Sequence, residues 1–158
     1  MKRNLSIVLL LSLFAVWHAR MAAAEPLSGG DYCWSAHITE TKAGPADLKF
    51  KIKAHLAPVE ESYALVIGKA IYPGDSAADL EGTAKIEGEK VLMNLTSTQS
   101  HDPETKLDTG ILRVRFNQEN LNGVFWGIFN SFDPATKQFS HDYSAGTIKK
   151  VKCAEPAP

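Results

Sequence analysis

The side chains that could do chemistry in this chain are its histidines, cysteines and carboxylates, and their spacing argues against catalysis. Behind an N-terminal leader stand four histidines, His37, His55, His101 and His141. None belongs to a His-x-His, a His-Glu-x-x-His or a Cys/His cluster, so no metal centre is expected. His141-Asp142 could act as base and orienter for a serine such as Ser131 or Ser140. No Gly-x-Ser-x-Gly elbow accompanies them, however, and adjacent residues on a strand point to opposite faces. The carboxylates are spread over turns and outer strand positions, with no inward pair suited to acid–base work. No phosphate-cradling glycine loop is present. The expectation is a protein without catalytic residues, metal or cofactor. The aromatic residues Tyr32, Trp34, Phe125 and Trp126 are the candidates for a ligand-facing lining. Core packing would account for them equally well, because a small barrel can be filled by its own side chains. Asn94-Leu95-Thr96 matches a glycosylation sequon, which matters only in a eukaryotic secretory route.

Two cysteines, Cys33 and Cys153, lie near opposite ends of the chain beyond the leader. The leader carries Lys2 and Arg3, then an apolar run from Leu5 to Trp17, too short to cross a bilayer comfortably. Ala22 and Ala24 suit a signal peptidase, so a signal peptide over 1–24 is expected, with cleavage after Ala24 and a periplasmic or secreted product. Removing 24 of the 158 residues leaves 134, enough for a single domain over 25–158. Of 17 Lys and Arg, three lie in the leader, so 14 bases face 18 acids in the remainder. A net charge near −4 speaks against nucleic acid as a partner. Two cysteines in an exported chain are expected to pair. Closing so long a loop stabilises by roughly 4–5 kcal/mol on the chain-entropy model.

The elements that must position these residues read as strands. Leu48, Phe50, Ile52, Ala54 and Leu56 alternate with Lys49, Lys51, Lys53 and His55, the mark of a strand with one buried face. Further strands are expected over 32–39, 62–72, 80–87, 91–96, 111–116, 121–132 and 139–151. Turns fall at Pro73-Gly74-Asp75, at Gly88-Glu89, at Asn117–Asn120 and at Asp133–Thr136, with a polar loop over 100–106. Eight such strands joined by short turns suit an all-β, antiparallel up-and-down barrel that removes its own edges. Cys33 on the first strand and Cys153 just past the last would then be neighbours across the closure.

Two barrel types share this pattern. A soluble barrel buries Phe50, Ile52, Leu112, Val114 and Phe116 and exposes the lysine row with Arg113 and Arg115, whereas a small outer-membrane barrel reverses the faces. Short loops and the polar tail Ala154–Pro158 favour the soluble form. The lysine row could attract an anionic partner or simply keep edges solvated. The third and seventh strands are apolar on both faces, at Tyr63–Ile67 and Val124–Phe129. Their outer sides are either scattered surface apolar area or a wall covered by a second subunit or the N-terminal segment.

In architecture the chain resembles the lipocalin and avidin-like barrels. Lipocalins begin with Gly-x-Trp on the first strand, and here Gly30-Asp31-Tyr32-Cys33-Trp34 carries its Trp displaced. Avidins carry a His-Asp-x-Phe-x-Lys-like stretch on the last strand, of which His141-Asp142-Tyr143-Ser144 shares the beginning. No residue roles carry over. The resemblance implies a small ligand or a partner held at the barrel mouth. The functional expectation is an exported barrel that binds a small apolar molecule without catalysis. The alternatives are a protein-interaction or inhibitor module that uses the barrel surface, and a small outer-membrane barrel.

Overall fold

A computed structural model describes residues 28–74, 76–100 and 107–153. The expected signal peptide, with its cleavage point, and the polar segment containing His101 lie outside the described residues. Eight strands succeed one another: β1 (Gly30–Thr41), β2 (Gly44–Glu60), β3 (Tyr63–Ile71), β4 (Ala77–Glu87), β5 (Lys90–Ser100), β6 (Leu107–Asn117), β7 (Gly123–Asp133) and β8 (Gln138–Val151). Each pairs antiparallel with the next, and β1 pairs with β8, so the sheet closes into a barrel.

Local chemistry sets the element ends. Gly88 has φ of 61° and links Glu87 to Lys90 through a two-residue turn with glycine at its first central position, the arrangement that matches strand twist. The second strand runs further at both ends than its alternation predicts. Pro58 sits where the β2–β3 register shifts, and a shift near Ile38 and Glu40 lies opposite the Pro45 end. Proline is tolerated there because a bulge relieves the need for its missing N–H.

Inside the barrel the apolar members of the alternation form the core. Trp34, Ala36, Phe50, Ile52, Ala54, Leu56, Val66, Leu80, Met93, Leu95, Leu112, Val114, Phe116 and Ile148 are all buried. The lysines of β2, with Arg113 and Arg115, lie on the outer wall. Gly146 on β8 has an extreme requirement for space, because a Cβ there would lie 1.9 Å from the carbonyl oxygen of His37 on β1. Closure of the barrel therefore brings two backbones together at a point where only glycine fits.

Cys33 faces Val151 across the β1–β8 ladder, and Cys153 lies just beyond. The two form a disulfide with a Cα–Cα distance of 5.1 Å across 120 residues of chain. The first and last strands are thus joined twice, by hydrogen bonds and by sulfur. A formed disulfide is consistent with an oxidising compartment.

Candidate functional site

The two ends of the barrel differ. At the disulfide end, Trp34 is 1% exposed and stacks between Tyr32 and Phe116, with ring centroids 5.7 and 5.3 Å away. Its indole N–H donates to the Leu121 carbonyl at 3.2 Å. That carbonyl belongs to the β6–β7 turn, which folds under the barrel. Leu121 adopts φ of 53° there, and the turn is held by Asn117 N–H on the Asn122 carbonyl and Leu121 N–H on the Asn117 carbonyl. Asn122 Oδ1 also accepts the backbone N–H of Lys150 on β8. A buried indole needs a partner for its N–H, and the turn supplies it while closing the floor.

Among the described residues the opposite end is open. A cavity of about 400 Å³ enters there, within the range of small-molecule sites. Ile38, Leu48, Phe50, Tyr72, Ala78, Phe125 and Phe129 form its apolar walls, and Ser97, Gln99, Asp108, Asn130, Ser131, Ser140, Asp142 and Ser144 its polar part. Phe50 stacks on Tyr72 at 5.2 Å and meets Phe125 edge-on at 5.7 Å, which makes an aromatic corner. Burial, and secondarily the Asp108 carboxylate, holds the Tyr72 phenol above the ordinary tyrosine value, so it stays protonated as a donor. Phe129 lies over positions kept clear for it. A Cβ at Gly110 would meet its ring at 2.5 Å, and one at Gly127 would meet it at 2.9 Å.

The four aromatic candidates do not share a site. Phe125 lines the cavity. Tyr32 and Trp34 lie at the closed floor, where Lys150 Nζ stands 5.1 Å from the Tyr32 ring. Trp126 faces outward, 44% exposed, with the Arg113 guanidinium 5.2 Å over its ring. Adjacent residues on a strand must diverge, so Phe125 and Trp126 could never line one surface.

Phe50, Tyr72, Phe129 and Asp108 belong to the cavity and were not singled out from sequence. Their signal is a polarity switch along the inward-facing positions. On β5, Val91, Met93 and Leu95 give way to Ser97 and Gln99. On β6, Phe116, Val114 and Leu112 give way to Gly110 and Asp108; on β8, Ile148 gives way to Ser144, Asp142 and Ser140. Because successive strands run in opposite directions, these polar ends all fall at one mouth.

Of the residues weighed for catalysis, Ser131, Ser140 and Asp142 line the cavity, whereas His141 lies on the outer face. His141 is exposed, with Nε2 3.1 Å from Lys42 Nζ. Asp142 Oδ1 accepts the backbone N–H groups of Lys42 and Tyr143 at 3.0 and 2.8 Å. His37 and His55 pair with Asp47 and Asp31 on the surface, at 2.6 and 2.9 Å. Among the described residues, no group of three His, Cys, Asp or Glu side chains is placed to hold a metal ion. Comparison of the chain with known protein families and with curated proteins finds no match.

Proposed function

We propose that this protein is an exported binding protein that holds a small, largely apolar molecule in the open mouth of its barrel. The observation that carries the reading is the asymmetry of the interior. One half buries its side chains around Trp34, while the other keeps a cavity of about 400 Å³ with an aromatic corner and a polar part. Apolar walls with a few directed polar groups are the usual composition of a small-molecule site. The inward apolar set and the outward lysines and arginines support a water-facing outer wall over a lipid-facing one. Native mass spectrometry of protein purified from its own compartment without detergent tests the reading. A retained small molecule is expected, displaced when Phe125→Trp fills the cavity. A lone polypeptide mass, together with no uptake from a library of apolar compounds, would overturn it.

A second reading rests on the outer wall of β6–β8. Ile111 stands directly opposite Ile128, and Ile128 opposite Tyr143, with Trp126 alongside. All four are more than a third exposed, an apolar strip of the kind that mates with another protein or a second copy. A concentration-dependent oligomer that Ile128→Lys disperses would favour this reading, and a monomer at every concentration would count against self-association.

A further inference from the structure

Resting on the reading of the mouth as a ligand site, we infer that its preferred ligand is an organic cation, a protonated amine at one end of an apolar body. Among the described residues that line the cavity the charged side chains are both carboxylates, Asp108 on β6 and Asp142 on β8. No lysine, arginine or histidine is among those lining residues. The neighbouring cation, Lys42, has its ammonium 3.1 Å from Nε2 of His141, whose strand position faces away from the lumen. Asp142 is held by two backbone N–H groups, so its place at the rim is set by the fold. Asp108 occupies an inward-facing strand position close enough to Tyr72 for its charge to be felt by the phenol.

The walls add a second, independent preference. The stacked Phe50 and Tyr72 rings and the Phe125 ring set edge-on to Phe50 line the same space. Aromatic faces attract cations, more strongly where water is excluded. A ligand carboxylate would enter a space that already holds two negative side chains, and in a partly desolvated site that repulsion is weakly screened. An ammonium would find the Asp142 carboxylate at the rim to pair with its N–H groups, the negative charge of Asp108 further along the wall, aromatic side chains beside it, and serine, Asn130 and Gln99 side chains as further acceptors. The hydrocarbon remainder would lie against Phe129 and Ile38.

Isothermal titration of the disulfide-bonded protein near neutral pH with octylammonium, octan-1-ol and octanoate isolates the head group at constant chain length. Octylammonium should bind at least about tenfold more tightly than octanoate, with octanol between them, and added salt should narrow the gap. In an Asp108→Asn/Asp142→Asn double variant, its fold checked by circular dichroism, the amine and carboxylate affinities should converge to within about threefold. If the double variant does not fold, Asp142→Asn at the exposed rim should still lose part of the preference. Octanoate binding as tightly as octylammonium would overturn the cation inference and leave the binding reading intact. A preference unchanged in the variants would overturn it as well. Failure of all three probes to bind would count against both.

Discussion

At the scale of single residues, Trp34 and Trp126 mark the difference between floor and wall. Trp34 is enclosed by Tyr32, Phe116 and the β6–β7 turn, whereas Trp126 lies on the outside under Arg113. Trp34→Ala should therefore lower unfolding stability by about 3–5 kcal/mol, through lost burial and the space left behind. Trp126→Ala should cost about 1 kcal/mol or less, chiefly its exposed cation–π contact. Urea denaturation of both variants checks the contrast, and similar losses would refute the assignment of floor and wall. Tyr72 supplies a pH dependence. Its folded pKa lies above the unfolded value, so from about pH 10 upward the unfolded chain sheds the proton first. The stability associated with the neutral phenol is present below that pH and is lost as pH rises through the folded pKa. Tyr72→Phe should keep the stacking on Phe50 and flatten the alkaline fall in stability, which denaturation at a series of pH values would measure.

At the scale of elements, β6 and β7 keep the cavity open. Gly110 and Gly127 let the Phe129 ring lie against the wall instead of crossing the lumen. A methyl at position 110 would meet the Phe129 ring at 2.5 Å and Ser97 Oγ at 2.8 Å. These two are side chains and can move, whereas the Ile128 carbonyl oxygen at 3.0 Å belongs to the ladder and holds its place, and the room available to the ring is the cavity. Gly110→Ala should cost about 1–3 kcal/mol of stability as overpacking. It should also weaken octylammonium binding, a loss that calorimetry would register; unchanged binding would show that Phe129 does not border the ligand. Strand order and most turns were legible in the sequence. The alternation at Leu48–Leu56 marks β2, and Gly88-Glu89 marks the β4–β5 hairpin. The outer segments of β2 were less legible, because Pro45 and Pro58 read as strand breakers until register shifts give them a place.

At the scale of the whole molecule, the β1–β8 ladder and the Cys33–Cys153 bridge close the same seam. The hydrogen bonds of the ladder do not involve the sulfurs, so reduction should leave a barrel of the same shape but weaker. The expected loss is roughly 4–5 kcal/mol, because the bridge limits the freedom of the unfolded chain over 120 residues of separation. A Cys33→Ser/Cys153→Ser variant should unfold at lower urea with the far-ultraviolet spectrum of a β protein before the transition. A variant with no cooperative transition would mean that the disulfide, and not the ladder, holds the barrel shut.

The strands, the apolar and polar faces of most of them, and the pairing of Cys33 with Cys153 were all written in the order of the residues. Each comes from period-two alternation or from the meeting of chain ends in a closed sheet. The polarity switch on β5, β6 and β8 marks the mouth in the sequence, but how the two ends are filled was not written there. That depends on how far each inward ring reaches across the lumen once strand register and tilt are set. Trp34 and Phe116 meet over one floor from strands 82 residues apart in sequence, while Phe50, Tyr72, Phe125 and Phe129 stay along the walls at the other end. Strand alternation assigns a side chain to the lumen, but its height and its partners there are decided only when eight strands close around it.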